Sequence, residues 1–148
     1  MQTKYDYSYG VIPIYKIDND WRVLVVQQYG SKGDLYWGFP KGHKEEGETD
    51  TCAAVRELKE ETNITLTSLD DSRVFEQLYT FTNGEMHVKK KVIYYIGKAE
   101  SEGMVLQTNE LATAEWCSFP KARELLTHEG TRKMFDRVVA YVHKNPAV

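Results

Sequence analysis

Three glutamates, Glu57, Glu60 and Glu61, stand three and four positions apart in a stretch whose pattern reads as a helix from about Asp50 to Thr62. On a helix that spacing brings all three carboxylates onto one face within a turn. Anions gathered so closely repel, and without a counter-charge they cost helix stability. Hard divalent cations such as Mg²⁺ prefer oxygen ligands and convert the repulsion into binding, so the chemistry to expect is metal-assisted. Negative charge is concentrated here: Glu45, Glu46, Glu48, Asp50, Glu57, Glu60 and Glu61 face only Lys44, Arg56 and Lys59 between positions 44 and 61. A Glu/Lys-rich helix face is more often a solvated surface than a site, so the residues around the trio must decide.

The trio needs an anchored helix. Cys52, Val55 and Leu58, with Ala54 alongside, are small or apolar, and are expected to pack on a sheet while the carboxylates face outward. Asn63 follows, and asparagine tolerates the left-handed conformation that ends helices; Ile64 is then expected to re-enter the core. Upstream, a short strand around Leu35 to Phe39 runs into Pro40, Lys41 and Gly42. Before it, Tyr5 to Tyr15 and Trp21 to Gln28 have strand character, with the turn formers Asp18, Asn19 and Asp20 between them. Downstream, Val74 to Phe81 and Met86 to Ala99 read as two long antiparallel strands, with Asn83-Gly84 as a two-residue hairpin loop. Ala114 to Cys117 suggests another short strand, and Ser118 caps a helix with Pro120 in its first turn. A last helix starts near Thr131 and turns a stripe of Phe135, Val138, Val139 and Val142 to a core. This order predicts an α+β domain, an α/β/α sandwich with a central sheet between helices.

The 148 residues are 41% hydrophobic and 12% aromatic, enough for one buried core and too few for two ordinary domains, so residues 1–148 are expected to form a single domain. A net charge of -3 with no run of five like charges speaks against a nonspecific nucleic-acid arm or a polybasic membrane anchor. Met1 to Gly10 is polar and tyrosine-rich, and the apolar stretches are strand-length; a cytoplasmic protein with no membrane attachment is expected. Cys52 and Cys117 stand far apart with no second ligand pair, so both are expected to be reduced and structural.

From Gly42 to Ile64 the spacing is Gly42, Glu48, Arg56, Glu57, Leu58, Glu60, Glu61, Asn63, Ile64. It resembles the Nudix box: glycine, five residues, glutamate, seven residues, Arg-Glu, an aliphatic residue, any residue, Glu-Glu, any residue, glycine and an aliphatic residue. Asn63 stands where the family has glycine, and its tolerance for positive φ preserves the helix end. The resemblance implies a Nudix fold with a mixed central sheet, and hydrolysis of a nucleoside-linked phosphoanhydride by water with Mg²⁺ or Mn²⁺. It also implies Glu57, Glu60 and Glu61 as metal ligands and catalytic groups, with the Gly42 carbonyl as a further ligand. Glu57 alternatively orients the water, and Arg56 is expected to be a structural partner of Glu48.

The run Trp37-Gly38-Phe39-Pro40-Lys41-Gly42-His43 is similar to that of the asymmetrical diadenosine tetraphosphate (Ap4A) hydrolase branch, which splits Ap4A into ATP and AMP. Tyr7 to Ile14 and Lys90 to Tyr95 also resemble that branch. This likeness implies substrate contacts from Tyr79, Lys41 and Lys90, a phosphate donor in His43, and a metal ligand or acid/base in Glu110. Other readings stay open. A strand tyrosine is usually half-buried core, lysines and loop glutamates are usually surface charge, and a loop histidine is commonly solvent-exposed. The box is also used on RNA 5′-triphosphate ends and other nucleoside-diphosphate compounds, and a fold can persist as a catalytically silent nucleotide-binding module. A small-molecule nucleoside polyphosphate is the expected partner, an RNA 5′ end the main rival, and a monomer the expected state.

Overall fold

In a computed structural model, residues 2–30, 33–107 and 111–147 are described. Among them, seven strands and three helices occur in the order β1 (Gln2–Ile17), β2 (Asp20–Tyr29), β3 (Leu35–Gly38), β4 (Lys41–Gly42), α1 (Asp50–Thr62), β5 (Leu66–Asn83), β6 (Met86–Ala99), β7 (Leu111–Ser118), α2 (Phe119–Leu125) and α3 (Glu129–Lys144). The sheet runs β3-β2-β1-β6-β5, with β4 added to β1 and β7 to β2. It is mixed, because β1 pairs antiparallel with β2 and β4 but parallel with β6, from Gln2↔Met86 to Ile14↔Lys98.

Alternation along the strands supplies two apolar faces. Ile12, Ile14, Val92, Tyr94 and Ile96 pack with Phe119 and Ala122 of α2 and with Met134, Phe135, Val138 and Val142 of α3. Tyr9, Val11 and Tyr95 face the other way and pack with Ala53, Ala54 and Leu58 of α1. The α/β/α sandwich expected from the element order is therefore the observed architecture. No helix among the described residues is long and apolar enough to cross a membrane.

Local signals set the element ends. Thr49 accepts from the Cys52 N–H at the start of α1, and Asn63 ends it at φ 60° with its N–H on the Lys59 carbonyl. Ser118 caps α2 with a proline in the first turn. Other expectations need correction. The β5–β6 loop is Gly84-Glu85 rather than Asn83-Gly84: Asn83 still pairs with Met86, and the positive φ falls on Gly84 at 63°. β5 begins at Leu66, eight positions before the expected Val74, because its pairing with β6 shifts register between Asp70 and Phe75. β7 extends beyond Ala114–Cys117 at both ends, to Leu111 and Ser118, because β2 continues to pair with it. The packing face of α1 is rotated by about one position from the expected one. Ala53, Ala54, Leu58, Glu61 and Thr62 are buried, whereas Cys52 and Val55 are exposed. The two alanines let α1 approach the sheet closely.

The left-handed residue at the end of α1 is the simplest local feature to test. Asn63→Val is expected to cost about 1–2 kcal/mol because a β-branched side chain resists positive φ. Asn63→Gly should stay within about 0.5 kcal/mol of the parent. Urea unfolding of the three proteins checks both.

Candidate active site

The box is drawn together by one side chain. Arg56 Nε lies 2.7 Å from Glu48 Oε2 and Nη2 lies 2.9 Å from Glu48 Oε1, a bidentate pair. Nη2 also donates to the His43 carbonyl at 2.9 Å. Nη1 lies 3.1 Å from Glu57 Oε1 and 3.1 Å from Glu60 Oε2. Glu48 in turn accepts the Glu45 N–H at 2.7 Å, which ties down the loop before α1. The expected Glu48–Arg56 partnership is present. In addition, Arg56 supplies Glu57 and Glu60 with the counter-charge that the sequence left unassigned. Glu48, followed by Glu57 and Glu60, raises the Arg56 pKa, while the Arg56 hydrogen bonds hold the Glu48 carboxyl below the usual glutamate range.

The three carboxylates do not share one exposure. The Glu60 side chain is 57% exposed and that of Glu57 14%, whereas Glu61 is buried on the sheet side. The expectation that all three face outward is corrected for Glu61, which lies where the carboxylate face meets the packing face. Gly42 lies against Glu57: a methyl there would overlap the carboxyl as it stands and displace it. Among the described residues no three His, Cys, Asp or Glu side chains are grouped closely enough to hold a metal ion as they stand. Glu110 lies outside the described residues. The Gln107 N–H donates to the Glu61 carbonyl at 2.8 Å, which ties residue 107 to the end of α1.

A cavity of about 570 Å³ brings Glu57, Glu61 and Gly42 together with Lys41, His43, Lys44 and Lys90, and with Ser8, Gln28 and Tyr36. Carboxylates and cations thus face one space. A second cavity, about 240 Å³, shares Gln28, Tyr36 and Lys41 with it and is lined further by Gln77, Tyr79, Tyr94 and His128. Tyr79 therefore sits next to the carboxylate cavity rather than on its wall, 40% exposed on β5. A larger cavity, about 940 Å³, lies between the β1–β2 turn, α2 and α3, and holds none of the box residues. The cavity of about 570 Å³ is the candidate site because Gly42, Glu57 and Glu61 of the box line it.

The cations have different settings. Lys41 Nζ donates to the Tyr36 hydroxyl at 3.2 Å; burial opposes its charge, yet Tyr36 and Tyr79 hold its pKa above the ordinary lysine value. Lys90 Nζ donates to Asp6 Oδ2 at 2.8 Å and to Ser8 Oγ, and burial lowers its pKa against the pull of Asp6. His43 is 69% exposed in its side chain, with Nε2 3.0 Å from Asp6 Oδ1. Asp6, Ser8, Gln28 and Tyr36 were not singled out from the sequence. Alternation within β1 puts Asp6 and Ser8 on one face, but which lysine they meet depends on the β1–β6 register.

The NUDIX domain profile matches residues 4–138. The chain belongs to the NUDIX family. Its sequence is 30% identical over 110 residues to the asymmetrical bis(5′-nucleosyl)-tetraphosphatase of Caenorhabditis elegans, covering 72% of this chain and 76% of that protein. An mRNA-decapping protein of African swine fever virus is 33% identical over 78 residues, which cover 53% of this chain and 26% of that longer protein. In fold, this Nudix hydrolase superposes on a C. elegans Ap4A hydrolase binary complex with TM-score 0.80 at 23% identity, covering 94% of this chain and 98% of the other. It is a hydrolase resembling Ap4A hydrolases at low identity, in a family that generally uses divalent cations.

Glu48 offers a pH test of the Arg56 hub. Its pKa is lowered in the folded protein, so the pair contributes stability above the ordinary glutamate range and loses it as pH falls through the folded value. The melting temperature of Glu48→Gln is expected to lie below that of the parent at neutral pH, and the gap is expected to close as pH drops below about 4. Thermal unfolding from neutral to acid pH checks it.

Proposed function

We propose that this Nudix hydrolase cleaves dinucleoside polyphosphates, converting Ap4A to ATP and AMP, with Mg²⁺ or Mn²⁺ as cofactor. The observation that carries this reading is the convergence of Glu57 and Glu61 with Lys41 and Lys90 on one cavity. A polyphosphate needs cations against its oxygens, and an acidic wall repels it unless divalent ions intervene. The donor chemistry fits such ions, since carboxylates and a backbone carbonyl are hard oxygen ligands. Glu57, Glu60, Glu61 and the Gly42 carbonyl would hold the metal, with Glu110 as a further ligand or acid/base. When bound, the metal supplies charge neutralisation of the phosphates and a more acidic water.

The chain's own groups do the rest. Lys41 and Lys90 meet phosphate oxygens, and His43 adds a donor at the rim. Tyr79, on the adjoining cavity, contacts the nucleoside portion. Gly42 lets the backbone and the Glu57 carboxyl lie against each other. Arg56 offsets the charge of Glu57 and Glu60 and holds them beside Glu48.

The test is product chromatography with Ap4A. ATP and AMP are expected with Mg²⁺ and no turnover in chelator, and Glu60→Gln and Glu61→Gln are each expected to lower kcat/KM at least about 100-fold while remaining folded. Undiminished activity in both variants, or hydrolysis unchanged by chelator, rejects the reading. The likeness to a decapping protein favours a second substrate class, RNA 5′ ends. A triphosphorylated oligonucleotide turned over faster than Ap4A would move the assignment there.

A further inference from the structure

The cations of the candidate phosphate site are not independent of one another. Lys90 is 7% exposed, and the parallel register seats it: Asp6 stands opposite Lys90, and Ser8 opposite Val92. Residues two apart on a strand share a face, so one face of β1 presents both a carboxylate and a hydroxyl to a single ammonium. The Lys90 Nζ reaches Asp6 Oδ2 at 2.8 Å and also Ser8 Oγ. The other Asp6 oxygen, Oδ1, lies 3.0 Å from His43 Nε2. One carboxylate thus spans from the middle of β6 to the loop that follows β4. Ser8, His43 and Lys90 line the cavity, and Asp6 backs two of them.

Charge accounting shows what that carboxylate does. Lys41 and Lys4 both act against the Lys90 charge, Tyr79 is its cross-strand neighbour on β5, and the Ser8 hydroxyl is neutral. Asp6 is the carboxylate at 2.8 Å from the Lys90 Nζ, Glu57 and Glu61 of α1 line the same cavity, and His43 lies against the other oxygen of Asp6. A buried ammonium stripped of its partner is left uncompensated, and the common response is loss of the proton.

We propose that Asp6 is a positioning residue of the phosphate site, holding Lys90 and His43 at a fixed separation and supplying the counter-charge that keeps Lys90 cationic and available to a phosphate oxygen. This rests on the reading of the cavity as a polyphosphate site. Asp6→Asn keeps the shape and removes the charge. In that variant Lys90 remains in place but carries its proton only at lower pH, so substrate binding weakens chiefly on the alkaline side. A purely structural role for Asp6 would lower stability without moving a titration.

The experiment compares the parent, Asp6→Asn, Lys90→Met and the double variant. One readout is steady-state kinetics with Ap4A and Mg²⁺ from neutral to alkaline pH. The other is an NMR titration of ¹³C-lysine-labelled protein, in which the Lys90 signal is identified by its loss in Lys90→Met. In Asp6→Asn, KM is expected to rise about tenfold at the alkaline end with kcat within about twofold, and Lys90 to titrate about one pH unit lower. In the Lys90→Met background, Asp6→Asn should no longer raise KM more at alkaline than at neutral pH, because that pH-dependent part of its effect passes through Lys90. Lys90 titrating at the parent's pH, or an undiminished penalty in the Lys90→Met background, overturns the proposal. A parent enzyme that cleaves no nucleoside polyphosphate would reject the functional reading instead, while the NMR titration still decides whether Asp6 holds the Lys90 charge. Asp6→Ser carries the same readouts should Asp6→Asn not fold, and Asp6→Glu, which keeps the charge, is expected to restore the Lys90 titration.

Discussion

Arg56 commits both sides of its guanidinium to carboxylates. Nε and Nη2 close on Glu48, while Nη1 lies between Glu57 and Glu60. Only a planar, permanently charged fork can serve several acids at once in this way; a lysine would offer one point charge. With the guanidinium in place, an acidic helix face, the loop before it and the carbonyl of His43 become one unit. Carboxylates that would repel one another are instead held around one guanidinium.

The sheet supplies what the helix cannot. β1 pairs with β6 from Gln2 to Ile14, and also with β2 from Ile14 to Ile17 and with β4 at Tyr9 and Gly10. Beside β4, α1 and Lys90 reach a common space. The cavity thus takes Glu57 and Glu61 from α1 and Lys41 and Lys90 from strands of the sheet.

Legibility in the sequence followed the range of the interactions. The ends of α1 and β6 were readable because capping and turn residues act within a few positions, and Asn63 adopts the left-handed conformation anticipated for it. The Glu48–Arg56 pair came from the box resemblance. The buried side of α1 was displaced by about one position, since Cys52 and Ala53 suit a packed face equally well and only the tertiary contact chooses Ala53. The reach of Arg56 to Glu57 and Glu60 was missed because its guanidinium had been assigned to one partner. Asp6 was invisible for a different reason: its meaning depends on a pairing between strands far apart in the chain, which no local pattern encodes.

That pairing also orders the assembly of the molecule. Asp6 and Lys90 are 84 positions apart, and closing so long a loop costs entropy before any contact repays it. A chain leaving the ribosome can form the β1–β2 hairpin and the first turns of α1 from nearby residues, but it lacks Lys90 until β6 has been made. The acidic helix therefore exists for a time without the lysine that completes its cavity.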